Sequence, residues 1–239
     1  MQENTRIDTI SEYDVREVGH IQSIREFLIT AVDLPSCING QVVEFKGGYL
    51  GLVMGFTGEK VFILVLSLRF NLRIGDEVYN RGRLLDLPVG EEFLGRIVNS
   101  LCEPVDGLGA IKAAKRAPVF SEAPGVMDRV PVDQAVGTGT FALDVIIPIA
   151  KGQRQLLIGD RLTGKTTVAI DAILSQKGKD TICIYCSNGK PYSSLTTVID
   201  LLRKRDVLPY TIVVDSTSST SVGQQYLGPY TAAMLGEYF

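Results

Sequence analysis

Histidine is nearly absent from this 239-residue chain. His20 stands alone. One imidazole builds neither a metal centre nor a Ser-His-Asp triad, so His20 is read as structural. Long apolar runs are missing too. The longest, Val61-Phe62-Ile63-Leu64-Val65-Leu66, falls far short of the about 20 residues a membrane-spanning helix needs. Basic blocks are lacking: 24 Lys and Arg face 27 Asp and Glu, for a net charge of −3, which argues against nucleic acid as the main partner. The opening Met1-Gln2-Glu3-Asn4-Thr5-Arg6 has neither the apolar core of a signal peptide nor the basic, acid-poor character of a transit peptide, pointing to a bacterial cytoplasmic location. Cysteine is sparse, at four residues. Cys183 and Cys186 form a Cys-x-x-Cys, but Thr181–Cys186 reads as a strand, on which positions three apart face opposite ways. With no second pair and no nearby histidine, buried free thiols are favoured over redox or zinc chemistry.

With 45% hydrophobic and 21% charged residues, the chain has the apolar content for real cores and the length for two domains. Residues 1–15 are polar and acidic without periodicity, a flexible lead or a partner-docked helix. From 16 to 92 the pattern is one of short apolar strands punctuated by glycine: Ile24–Ala31, Gln41–Phe45, Leu50–Gly55, Val61–Leu66, Glu77–Tyr79 and Arg83–Leu87. Gly47-Gly48, Thr57-Gly58 and Gly75-Asp76 supply turns. Closing these strands into a small β-barrel removes the exposed edges of so small a sheet.

Residues 93–239 read as an α/β unit. Turn formers at Glu103–Gly109 lead to an extended segment through Ala117-Pro118 and Ala123-Pro124-Gly125. A helix is expected over Thr138–Ile149, a strand over Thr181–Cys186, a helix over Ser193–Arg205, a strand over Tyr210–Val214, and a last helix from Gly228-Pro229 through Tyr230–Phe239. Strands alternating with helices argue for a parallel sheet.

At the head of this unit Arg154–Thr167 runs from apolar Leu156-Leu157-Ile158 through a tight turn into a helix. Gly159, Gly164, Lys165 and Thr166 satisfy G-x-x-x-x-G-K-[ST]. In that pattern backbone N–H groups wrap phosphates, the lysine reaches the β and γ oxygens, and the hydroxyl ligates magnesium. The bare pattern also arises by chance. The apolar strand before it and the apolar face of Val168, Ile170, Ala172, Ile173 and Leu174 after it supply the strand–loop–helix context a nucleotide site needs.

The arrangement resembles the N-terminal half of the α subunit of F-type ATP synthases, from about residue 16 to the last residue. The resemblance is carried by Leu94-Gly95-Arg96-Ile97-Val98, Pro104-Val105-Asp106-Gly107, Ala123-Pro124-Gly125-Val126, Pro148–Arg154, Gly159–Thr166, Gln225-Tyr226-Leu227 and Gly236-Glu237-Tyr238-Phe239. It implies a β-barrel followed by a P-loop α/β (RecA-like) domain cut short on its C-terminal side. It also implies a ring subunit alternating with catalytic β-type partners in a hetero-hexamer, with γ and δ-type stalk subunits, at the cytoplasmic face of a bacterial plasma membrane. ATP or ADP with Mg²⁺ would lie at a non-catalytic interface. The cradle would be Gly159, Asp160, Arg161, Leu162, Thr163 and Gly164, with Lys165 on the phosphates and Thr166 on Mg²⁺.

Two departures from that family pattern stand out. Leu162 replaces a usual glutamine. The loop after the second strand reads Gly189-Lys190-Pro191, where α subunits have Gly-Gln-Lys and catalytic ones Gly-Glu-Arg. The catalytic glutamate polarises the attacking water and lysine cannot, so hydrolysis is not expected and no residue is assigned as catalytic. Asp215 ends Ile212-Val213-Val214 as a magnesium-binding aspartate would, or caps the Ser/Thr-rich turn after it; the resemblance places the true magnesium aspartate beyond Phe239. Arg161 contacts phosphate, pairs with a neighbouring subunit or is simply solvated. The alternatives to a non-catalytic synthase subunit are a flagellar, secretion or catalytic rotary ATPase, and a truncated ring protein of purely structural role.

Overall fold

The structure, a computed structural model, describes residues 17–239. The polar lead expected over residues 1–15 lies outside the described residues. The chain divides into two units, one ending at Leu85 and including Ser221–Gly223, the other holding the rest.

The first unit is a closed barrel of six strands: β1 (Glu17–Arg25), β2 (Leu28–Val32), β3 (Gln41–Phe45), β4 (Tyr49–Thr57), β5 (Lys60–Val65) and β6 (Glu77–Leu84), in the order β1-β2-β5-β4-β3-β6. All pairs are antiparallel, and β1 closes on β6 through Glu17 opposite Asn80. Alternation sends Ile21, Ile29, Val43, Phe45, Val53, Ile63, Val65 and Val78 inward, where they form one core. Each such side chain, fully buried, contributes about 1.5–3 kcal/mol. The single strand expected over Ile24–Ala31 is instead a hairpin. Glu26 turns it at φ 53°, a left-handed conformation that the absence of a glycine there conceals. Ser221 donates from its hydroxyl to the carbonyl of Leu66, tying a late piece of chain to the barrel unit.

The second unit opens with β7 (Asp86–Val89), so the strand expected over Arg83–Leu87 divides between β6 and β7. Then come β8 (Ile97–Asn99) and β9 (Lys115–Pro118), which pairs with β7. A small antiparallel pair, β10 (Ala135–Val136) and β11 (Ile149–Ala150), brackets α1 (Phe141–Ile146). This helix is shorter than the expected Thr138–Ile149. Asp144 takes Thr138 out of it, accepting from the Thr138 amide and hydroxyl and the Gly139 amide.

The central layer is a parallel sheet. It holds β12 (Cys183–Asn188), β13 (Thr211–Ser216) and β8, in the order β12-β13-β8. Every residue of β13 is buried, as a central parallel strand requires. Two helices cover the sheet, α2 (Lys165–Leu174) before β12 and α3 (Tyr192–Lys204) joining β12 to β13. Their faces Ile170, Ile173, Leu195, Val198, Ile199 and Leu202 share a core with Ile97 and Val213. β12, α3 and β13 thus fall within two residues of their expected places.

The last helix, α4 (Val222–Tyr238), begins well before the expected start at Gly228-Pro229 and carries Pro229 inside. A proline there removes one backbone hydrogen bond, which tertiary anchors offset. Leu227, Met234 and Leu235 are buried, Thr231 donates to the Ser100 carbonyl at 2.7 Å, and Ser216 donates to the Gln224 carbonyl at 3.1 Å. Gly228 is required beside it, because a Cβ there would overlap the Ser216 side chain.

One expected strand is absent. Residues 154–158 carry no strand, and Leu156 and Ile158 are 77% and 86% exposed. An extended apolar segment becomes a strand only beside a hydrogen-bonded neighbour, and the three described parallel strands pair among themselves.

Candidate nucleotide site

The loop between residue 158 and α2 turns where the sequence places the phosphate cradle. Gly164 caps α2 at φ 89° and ψ 7°, a left-handed conformation natural only to glycine. The Thr163 hydroxyl donates to the Asp160 carbonyl at 2.9 Å, closing the turn. Lys165 folds back over it, its ammonium donating to the Gly159 carbonyl at 2.7 Å, to the Asp160 carbonyl, and to the Thr163 hydroxyl at 3.3 Å. The structure therefore gathers Gly159, Asp160 and Thr163 around the Lys165 ammonium, with Gly164 turning the chain into α2.

Electrostatics favour an anion beside this turn. The first turn of α2 holds no acidic side chain, so its unpaired amides and positive dipole end are unopposed. Leu162 extends into solvent at φ 64° and adds no polar group. Arg161 is exposed.

From the other side comes Lys190, whose ammonium donates to the Thr166 hydroxyl at 3.0 Å. The sequence marks Lys190 as a departure from the pattern it resembles but gives no hint of this contact. The loop bearing Lys190 is pinned. Gly189 N–H donates to the Ser216 carbonyl and Ser218 N–H to the Lys190 carbonyl, both at 2.9 Å, and Pro191 then opens α3.

This arrangement does not fit a magnesium ion on Thr166, because the hydroxyl that would ligate it accepts from the Lys190 ammonium, whose positive charge would repel a second cation there. Among the described residues there is no cluster of three or more His, Cys, Asp or Glu. Asp215 is buried, and its carboxylate accepts the Thr217 amide at 3.0 Å, the bond expected of a residue capping the turn that follows.

Cys183 and Cys186 are free, three residues apart on β12, and so face opposite ways. Burial pushes both thiols up to about 11; the Asp215 carboxylate adds to the effect at Cys186. His20 contacts Asp33 at 3.2 Å within the barrel unit.

A closed barrel followed by a parallel α/β domain with a phosphate loop at a helix start defines a class of nucleotide-binding proteins. Residues 139–239 match the ATP synthase alpha/beta family, nucleotide-binding domain. The ATP synthase subunit alpha of Lactococcus lactis subsp. cremoris (strain SK11) is 43% identical over 228 residues, covering 95% of this chain and 46% of that protein. The corresponding subunits of Lactococcus lactis subsp. cremoris (strain MG1363) and subsp. lactis (strain IL1403) match equally, at 43% identity over 228 residues. Residues 139–239 thus match that family's nucleotide-binding domain, and the chain is similar to ATP synthase α subunits over 95% of its length. It spans about half the length of the curated relatives it matches. No helix among the described residues is long and apolar enough to cross a membrane.

Proposed function

We propose that the chain is an α-type, nucleotide-binding and non-catalytic part of the F1 ring of a rotary ATP synthase. ATP or ADP is held by the backbone of residues 159–164 with Lys165 on its phosphates. The observation that carries this reading is the start of α2, where Gly164 turns left-handed into a first turn that carries Lys165 and no acidic side chain, in a chain 43% identical to α subunits over 95% of its length. The ring's catalytic partners are β-type subunits, with γ and δ-type stalk subunits. The complex sits peripherally on the cytoplasmic face of a bacterial plasma membrane and makes ATP from an ion gradient.

The non-catalytic assignment rests on Lys190. A water-activating group must accept a hydrogen bond from the water, and the ammonium this loop offers has no lone pair to do so. Isothermal titration of the full chain with ATP and ADP tests the reading. Binding is expected, weakened about tenfold or more by Lys165→Ala, with no phosphate release. Turnover that disappears with Lys165→Ala would instead assign an independent ATPase, and a folded chain that binds no nucleotide would assign a structural ring protein.

A further inference from the structure

Lys190 and Thr166 stand where a metal and its ligand would stand in an ordinary phosphate loop, and the charge at that point is already positive. A divalent cation bound to the Thr166 hydroxyl sits about 2.1 Å from it, which places the ion within about 5 Å of the Lys190 ammonium. Either the lysine leaves or the metal does not come. The backbone of Lys190 is fastened beside Thr166, through Gly189 to Ser216 and through its own carbonyl to Ser218, so its ammonium stays within reach of that hydroxyl.

We infer that Lys190 replaces the divalent cation at this site, so that the chain binds free nucleoside di- and triphosphates without metal. The inference rests on the nucleotide-site reading given above and says which ionic form of the ligand that site takes. Two ammonium groups converge on the start of α2. Lys165 lies at the floor, on the carbonyls of Gly159 and Asp160, and Lys190 at the wall, on the hydroxyl of Thr166. Among the described residues neither joins an ion pair, so no carboxylate must be displaced when phosphate arrives. Each ammonium exchanges hydrogen bonds to neutral oxygens for bonds to phosphate oxygens in which donor and acceptor both carry charge, which adds Coulomb attraction. A bound metal would polarise the phosphates as a Lewis acid. An ammonium supplies charge without acting as a Lewis acid, which suits holding a nucleotide rather than cleaving it.

Equilibrium titration of the full chain with ATP, once in excess Mg²⁺ and once in excess EDTA, decides the matter. The affinity in EDTA is expected to equal or exceed that in Mg²⁺. Lys190→Gln, which keeps a hydrogen-bond donor and removes the charge, is expected to weaken binding in EDTA by about tenfold or more and to make Mg²⁺ tighten it. Retained binding of that variant in Mg²⁺ shows that it folds. If the unaltered chain binds ATP about tenfold or more tighter with Mg²⁺, or if Lys190→Gln binds unchanged in EDTA, Lys190 does not replace the metal and the nucleotide site stands. If ATP binds under neither condition, the nucleotide site itself falls.

Discussion

Arg96 and Asp106 meet through two near-parallel hydrogen bonds, Nε to Oδ2 at 2.6 Å and Nη2 to Oδ1 at 2.9 Å, with the Asp106 side chain only 2% exposed. The same carboxylate accepts the backbone N–H groups of Ile97 and Leu108, at 3.1 and 3.0 Å. Four donors thus converge on one buried carboxylate and lock the turn-rich stretch after β8 to the strand that pairs with β13.

Asp106→Ala leaves the guanidinium and two amides without their acceptor. A loss of about 3–5 kcal/mol in unfolding free energy is expected, read by urea denaturation at neutral pH. Arg96→Ala strands the carboxylate instead and lowers stability in the same direction.

Acid reaches the same lock. The Arg96 hydrogen bonds, with those from Leu108 and Ile97, hold the Asp106 carboxyl far below the usual carboxylate range despite its burial. A depressed folded-state value means that the stabilisation is complete above the unfolded carboxylate range near 4 and drains away as pH falls below it. Urea midpoints measured downward from pH 5 are expected to fall more steeply in the unaltered chain than in Asp106→Ala.

Gly164→Ala forces a Cβ onto a left-handed residue with φ 89°. About 1–2 kcal/mol of strain is expected. The loop relieves it by shifting, so ATP affinity falls in calorimetric titration while far-ultraviolet circular dichroism stays unchanged.

The thiols should be sluggish. Burial pushes Cys102 up to about 12 and, with the Glu17 carboxylate adding to it, Cys37 up to about 11; Cys183 and Cys186 also stand at about 11. At pH 8 all four are protonated, and the thiol is the unreactive form. Iodoacetamide is expected to label the native chain slowly and to add four groups at once in urea, counted by intact mass. Rapid native labelling of Cys183 or Cys186 would contradict the placement of β12.

Amide exchange separates two stretches of similar apolar sequence. Residues 211–216 are a buried central strand, whereas residues 154–158 have no ladder. Exchange over 154–158 is expected within seconds and over 211–216 only on global opening, read by mass spectrometry. Added nucleotide should slow exchange in residues 159–166.

The sequence made α3 and β13 legible because periodicity and burial agree there: Leu195, Val198 and Leu202 recur at helical spacing and all are buried. The hairpin at Glu26 was hidden because its turn uses a glutamate at positive φ where glycine is the usual sign. Pro229 misled in the opposite direction, reading as a helix start although buried contacts carry α4 through it. Leu156-Leu157-Ile158 has strand composition but no strand, because pairing is a property of neighbours and composition says nothing of them. The phosphate loop could be read from its residue types, since glycine and lysine are there for local reasons. The meeting of Lys190 with Thr166 could not, because it depends on where two separate elements come to rest.

Strand pairing also sets a timetable for a chain emerging from the ribosome. Every pairing of the barrel lies between residues 17 and 84, so that unit can close early, with only the Ser221–Gly223 strap still to come. Ile97 finds its neighbour only when Val213 arrives, and until then β8 waits with an open flank. A stalled or shortened translation product would therefore be half finished in a particular way, with its barrel closed and its sheet unbuilt.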